Sequence, residues 1–181
     1  MNEPVLGFKI VTVENILETD PVVSAMVVFN LKSGESRPHQ YDDWVRDVMA
    51  VELSSRVPFE VRRMFAFSQG ALCYAHWYYP ALTLGILDML RVAEFAIAEA
   101  CRERDINQPT GKKFLTFSDN IRELVKANIL EQDDNHIWNT MREHRNRTIH
   151  PAAQFIYGFN QAYETLKTTS QIIERIKWLQ K

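Results

Sequence analysis

A long apolar segment in the middle of the chain sets the strongest limit on its fold. Residues 81–101 are apolar almost all round when placed on a helix, with charged interruptions that include Asp88, Arg91 and Glu94. A helix that is apolar on every side needs other elements around it, because all of its faces must be buried. The segment therefore predicts a central, buried helix within a larger assembly of helices.

The chain on both sides of this segment provides the helices that such a core requires. Residues 41–53 place Trp44, Val48 and Val51 on one stripe, which is typical of an amphipathic helix. Further helices are expected over residues 58–78, over 120–128 with Ser118 as N-cap, from about 136 to 151, and over 159–180. Residues 41–181 are therefore predicted to form one all-α helical bundle.

The first forty residues differ from the rest because β-branched and aromatic residues are concentrated there. Two short runs, 5–13 and 22–31, are bounded by turn-forming pairs such as Asp20-Pro21, which is typical of strands. We expect residues 1–40 to form an extension with a small β-hairpin or strand pair. An isolated hairpin is only marginally stable, so it should pack on the helices or pair with another copy.

Composition and charge restrict the classes of function. A net charge of −2 excludes a polycation that coats nucleic acid, so any RNA contact must come from a local patch. Cys73 and Cys101 lack metal-ligand spacing and are expected to be buried, reduced thiols. No apolar run is long enough to span a bilayer, and the first residues lack the pattern of a signal peptide. We expect a cytoplasmic protein without a membrane partner, a cofactor or a bound metal ion.

Residues 141–151, Met-Arg-Glu-His-Arg-Asn-Arg-Thr-Ile-His-Pro, concentrate basic side chains in a chain that is otherwise slightly acidic. Arg145, Asn146 and His150 are a phosphate-binding cation, a polar group that could position it and an imidazole that could transfer protons. On a helix, Asn146 and His150 share a face, whereas Arg145 lies about 140° from His150. A two-fold dimer that pairs this helix with its copy would bring two arginines and two histidines together.

A structural role is the alternative for the same residues. Basic side chains in the last turn of a helix interact favourably with the helix dipole, which would account for Arg142, Arg145 and Arg147. His150, directly before Pro151, could then be a C-terminal cap. The spacing between an arginine and a histidine five positions later does not decide between the two interpretations.

The run Arg145-Asn-Arg-Thr-Ile-His150 resembles the signature of the HEPN family (higher eukaryote and prokaryote nucleotide-binding domains). Arg145 matches the family's arginine, Asn146 its polar residue and His150 its histidine. The proline that follows, Pro151, also resembles many members of the family. The family fold is a helical bundle that usually dimerises through the motif helices. Its members include metal-independent ribonucleases of toxin–antitoxin, phage-defence and RNA-processing systems, and non-catalytic proteins that bind nucleotides or partners.

The resemblance implies a HEPN-like antiparallel bundle that is a metal-independent endoribonuclease of a toxin–antitoxin or phage-defence system. His150 would act as acid or base in attack by the ribose 2′-hydroxyl, Arg145 would bind the phosphate, and Asn146 would position one or both. The implied partners are RNA or a nucleotide, a second copy of the chain, and an antitoxin or companion protein. One alternative is a catalytically silent bundle that binds a nucleotide, RNA or a protein, and another is a purely structural bundle.

We expect three further residues to support this site or to contact RNA: Glu94, Arg142 and Arg147. Arg91 and Glu94 are three positions apart and can pair on one side of the central helix, which is the simpler account because buried charges need partners. Alternatively, Glu94 faces the motif helix and fixes Arg145. His144 lies roughly 100° from Arg145 on a helix, so it is left outside the predicted site.

Overall fold

The computed structural model describes residues 9–30, 32–106, 116–149 and 156–179. Within these ranges the chain is mainly helical, with one pair of short antiparallel strands, as the sequence predicts. The helices are α1 (Pro21–Ser24), α2 (Tyr41–Met49), α3 (Phe59–Cys73), α4 (Ala81–Arg102), α5 (Phe117–Lys126), α6 (Asn135–Ile149) and α7 (Phe159–Glu174). The strands are β1 (Val27–Phe29) and β2 (Ser36–Pro38).

Helix α4 is the centre of the bundle. It packs against α3, α5, α6 and α7, and its side chains Leu82, Ile86 and Ile97 are fully buried. Pro80 stands immediately before the helix as its N-cap residue, where its missing N–H interrupts no hydrogen bond of the helix. The predicted buried helix over 81–101 is confirmed to within one residue.

Gly85 allows α3 and α4 to approach each other closely. A Cβ atom at this position would lie 2.7 Å from Cγ of Leu72, which is closer than carbon atoms pack. Leu72 is itself fully buried, and its backbone carbonyl accepts a hydrogen bond of 2.9 Å from Nε1 of Trp44 in α2. The absence of a side chain at Gly85 therefore sets the spacing of α3 and α4 at this point, while Trp44 joins α2 to the same position of α3.

The strand pair lies later in the chain than predicted. The predicted strand over 5–13 does not form in its described part, and residues 22–24 of the second predicted strand belong to α1. The carboxylate of Asp20 accepts a hydrogen bond of 2.9 Å from the backbone N–H of Val22, and Pro21 occupies the first helical position. This cap and proline favour a helical turn over a strand.

The N-terminal segment packs on the helices, which is one of the two arrangements expected for it. Asp20 is fully buried, and its second carboxylate oxygen accepts a hydrogen bond of 2.9 Å from the backbone N–H of Tyr79. The ring of His39 lies against Phe159, with 4.4 Å between the ring centroids. These contacts attach the segment to the start of α4 and of α7.

Several helix ends differ from the predicted ones. Helix α2 ends at Met49 and α3 at Cys73, short of residues 53 and 78. Thr116, rather than Ser118, caps α5, because its hydroxyl accepts from the backbone N–H of Asp119 while the Asp119 carboxylate accepts from that of Thr116. Helix α7 ends at Glu174, short of residue 180. The carboxylate of Glu174 accepts a hydrogen bond of 2.9 Å from the hydroxyl of Ser54, which attaches the end of α7 to the segment between α2 and α3.

The two cysteines differ in their surroundings. Cys101 is buried, and burial raises the pKa of its thiol to about 11, whereas Cys73 is only half-buried, contrary to expectation. No helix in the described ranges is long and apolar enough to cross a membrane.

Candidate functional site

Helix α6 carries the basic motif on the surface of the bundle. It begins at Asn135, close to the predicted start, and Trp138 and Met141 anchor it in the core. The predicted catalytic residue His150 lies outside the described residues. The described part of the site is therefore built from Arg145 and Asn146 and from what they contact.

Arg145 is attached to the central helix by an ion pair. Its Nη2 lies 3.0 Å from Oε2 of Glu94, and each of the two side chains is 33% exposed. Nη1 of Arg145 donates a hydrogen bond of 3.2 Å to Oδ1 of Asn146. Both contacts hold the guanidinium at one position between α4 and α6, on the side of α6 that faces α4.

Arg145 keeps hydrogen-bond donors that these contacts do not use. A guanidinium has five N–H groups. The contacts with Glu94 and Asn146 use one on each Nη atom, and the Nε–H is buried without a hydrogen-bond partner in the described ranges, which leaves one donor on each Nη atom open to a ligand. A phosphate bound in a fork arrangement takes two such donors. The ion pair with Glu94 is therefore compatible with a phosphate on the same arginine.

Arg91 does not pair with Glu94, which was the simpler of the two expectations. Its Nη1 lies 3.1 Å from Oδ1 of Asp88, and the other carboxylate oxygen of Asp88 accepts a hydrogen bond of 2.7 Å from the hydroxyl of Ser68. Arg91 thus forms its ion pair with Asp88, and Glu94 forms its own with Arg145 of α6. The contact between Glu94 and Arg145 exists, while a role for it in catalysis stays a prediction.

The other two arginines of the motif differ from each other. Arg142 donates a hydrogen bond of 3.3 Å to Oδ1 of Asn139 and lies 3.6 Å from the carboxylate of Glu143. Arg147 is exposed and forms no ion pair with any described residue. Of the two, Arg147 keeps its charge available to a ligand.

His144, which was left outside the predicted site, forms a close pair with Tyr157. Its Nε2 lies 2.6 Å from the Tyr157 hydroxyl. Burial, followed by the charge of Arg147, lowers the pKa of His144, and burial raises the pKa of Tyr157. Both groups are therefore neutral near pH 7. Tyr157 stands thirteen positions later in the chain, so no helical spacing rule could identify this pair.

A cleft lies beside this pair, between α6 and α7. It has a volume of about 420 Å³ and is lined by His144, Arg147, Tyr157, Gln161, Glu164 and Thr165. Arg145 and Arg147 are two positions apart and so point about 160° away from each other on a helix. The motif therefore presents two different chemical surfaces, one towards α4 and one towards α7.

The described residues include no group of three or more histidines, cysteines or acidic residues that could hold a metal ion. Comparison with protein-family models, with curated proteins and with solved structures finds no match to this chain.

Proposed function

We propose that the chain is a metal-independent endoribonuclease that acts where α6 carries Arg145. One observation supports this proposal most strongly: the Arg145 guanidinium is held by Glu94 and Asn146 and still has one unused donor on each of its two Nη atoms. A cation that is already in place stabilises the charge that develops on a phosphate without reorganising during the reaction. Arg145 is therefore assigned to the non-bridging oxygens of the scissile phosphate.

His150 is assigned the proton transfers, and this assignment rests on the resemblance of the motif to the HEPN signature. A neutral imidazole takes the proton of the ribose 2′-hydroxyl, and the freed oxygen attacks the phosphorus. The bond to the 5′-oxygen breaks, and a protonated imidazole supplies the proton that this oxygen needs. The products are a 2′,3′-cyclic phosphate and a 5′-hydroxyl end, and Asn146 positions the arginine or the phosphate.

This mechanism needs one imidazole as base and another as acid, whereas the motif contains one His150. A homodimer through the α6 helices would supply both, together with two copies of Arg145. The other histidine of the motif, His144, forms a hydrogen bond with Tyr157 on a different face of the helix. A HEPN-like dimer in a toxin–antitoxin or phage-defence system, with an antitoxin or companion protein, follows from the same resemblance.

A catalytically silent bundle that binds a nucleotide, RNA or a protein partner is the second candidate function. The observation that favours it is the same ion pair, because Glu94 compensates much of the charge that Arg145 would offer to a phosphate. In that case the pair only joins α4 to α6. Binding without turnover would then be the measurable property.

The decisive experiment is RNA cleavage in the presence of EDTA. The purified protein should cut single-stranded RNA and leave 2′,3′-cyclic phosphate ends, which mass spectrometry detects. His150→Ala should abolish cleavage, whereas Arg63→Gln, which removes an exposed arginine of α3, should not change it. Cleavage that persists in His150→Ala would contradict the mechanism. Light scattering should give the mass of a dimer.

A further inference from the structure

We propose that the cleft between α6 and α7 binds a phosphate group that is carried by a nucleotide or by an RNA backbone. The cleft is separate from Arg145, and this inference does not require that the chain cleaves RNA. Its volume of about 420 Å³ falls among small-molecule sites, which measure about 300–1,000 Å³. Three groups determine its chemistry: Arg147, His144 and Tyr157.

Arg147 supplies the charge. It is exposed at the cleft and forms no ion pair with a residue of the described ranges, whereas Arg145 is paired with Glu94 and Arg142 lies near Glu143. A guanidinium without a carboxylate partner can bind two oxygens of one phosphate through parallel N–H donors. The cleft therefore contains a guanidinium that can bind a phosphate and that has no ion-pair partner among the described residues.

His144 and Tyr157 supply a fixed polar wall. Tyr157 is 6% exposed, and its hydroxyl lies 2.6 Å from Nε2 of His144, so the imidazole is held in one orientation. When Nε2 accepts a hydrogen bond from the Tyr157 hydroxyl, the neutral ring carries its proton on Nδ1. Nδ1 has no hydrogen-bond partner among the described residues. A phosphate oxygen, which only accepts, would select this tautomer and bind the Nδ1–H group.

The α7 side of the cleft does not cancel this charge. Glu164 is the acidic residue of the lining, and its carboxylate lies 3.6 Å from Nζ of Lys167. Gln161 accepts a hydrogen bond of 2.9 Å from the backbone N–H of Gly158, and the Thr165 hydroxyl donates to the backbone carbonyl of Gln161. These contacts hold both side chains in the wall. When Lys167 is counted with the lining, Arg147 and Lys167 outnumber the one carboxylate of Glu164.

Titration calorimetry with three probes tests the inference: inorganic phosphate, adenosine monophosphate, and a 2′-O-methyl oligoribonucleotide, which has no 2′-hydroxyl to react. Arg147→Gln should weaken binding at least tenfold, and Tyr157→Phe, which keeps the ring, by a smaller factor. The charge-matched control Arg63→Gln should bind as the unmodified chain does. The imidazole signals of His144 should move at saturation in nuclear magnetic resonance spectra.

The three probes separate the sources of the phosphate. Binding of adenosine monophosphate that depends on Arg147 identifies a nucleotide site, and such binding by the oligonucleotide alone identifies a backbone site. His150→Ala should bind as tightly as the unmodified chain, so a loss of cleavage does not affect this result. No binding of any probe, or equal weakening by Arg147→Gln and Arg63→Gln, would overturn the inference while leaving the proposed nuclease intact.

Discussion

The two sides of α6 present the same type of side chain in opposite circumstances. Arg145 is fixed against α4 by the carboxylate of Glu94, whereas Arg147 stands exposed beside the neutral pair of His144 and Tyr157. The two arginines are only two positions apart in the sequence. Their difference shows that the partner supplied by the rest of the bundle, rather than the residue type, determines what each arginine can do.

An arginine that is held in place and an arginine that is free to bind suit different tasks. An arginine held at one position suits the stabilisation of developing charge, because its geometry does not have to change during the reaction. An exposed arginine without a partner keeps its conformational freedom and its charge, which suits capture of an anion. We therefore expect the Arg145 side to control the rate of the chemical step and the Arg147 side to control affinity.

The largest expected effect compares Arg145→Gln with Arg147→Gln in RNA cleavage. Arg145→Gln should lower kcat by about 10²–10³-fold, the range for removal of one donor to a developing negative charge. Arg147→Gln should raise KM and leave kcat nearly unchanged, because it removes binding that substrate and transition state share. Steady-state kinetics in EDTA measures both. Equal effects on kcat would remove the distinction between the two sides.

The next effect concerns Glu94. Glu94→Gln keeps the shape of the side chain but removes the charge that orients Arg145, so kcat should fall about tenfold, a modest part of the contribution of the arginine itself. The control Glu60→Gln removes an exposed carboxylate of α3 and should have no effect. A rise in kcat for Glu94→Gln would instead identify Glu94 as a competitor of the phosphate.

A smaller effect is expected in stability. A double-mutant cycle on Glu94 and Arg145 should give a coupling free energy of about 1 kcal/mol or less, because both side chains are one-third exposed and solvent screens the pair. Denaturant unfolding of the two single variants and the double variant measures it. A coupling near zero would mean that the guanidinium is not held by the carboxylate.

The smallest expected effect is the contribution of His144 to the pH dependence of the stability of the folded chain. The folded pKa of His144 lies below its ordinary value of 6.5, so the unfolded chain binds more protons between these two values and stability falls as the pH drops below about 6.5. The pKa values of His39 and His76 are also lowered, so they add to the same loss. Around His144, the other charged or titratable groups of the cleft are Arg147, Tyr157 and Glu164.

Unfolding measured at pH 7.5 and pH 5.5 checks this prediction. His144→Gln should show a smaller loss of stability between the two pH values than the unmodified chain, because one of the three contributing groups is absent. An unchanged loss would mean that His144 titrates equally in the folded and unfolded states.

The elements that the sequence predicts well are those whose signal is long and periodic. Residues 81–101 are apolar almost all round over some twenty positions, so a central helix is strongly favoured because it buries most of their faces. The strand pair was placed wrongly because β-branched residues such as Val22 and Val23 favour strands locally, while the cap from Asp20 and the proline after it favour a turn of helix. In a short segment the local preferences for strand and for helix differ little in free energy, so tertiary contacts determine which of the two forms.

The candidate site was predictable where it depends on the motif and unpredictable where it depends on packing. The motif gives Arg145 and Asn146, but Glu94 has two candidate partners in the sequence, Arg91 and Arg145. Arg91 lies three positions from both Asp88 and Glu94, and the structure pairs it with Asp88. His144 was set aside because helical angles place it away from Arg145. Its partner Tyr157 belongs to the segment before α7, and the packing of α6 and α7 on α4 brings the two together.

The close fit at Gly85 also bears on the order in which the molecule is built. The contact with Leu72 joins helices that follow each other in the chain, so a short loop is enough to form it, whereas Glu174 meets Ser54 across 120 residues. Contacts between near neighbours form sooner than contacts that close long loops. We therefore expect the α3–α4 hairpin to assemble first during synthesis. The surfaces of α6 would then be completed only when α7 arrives.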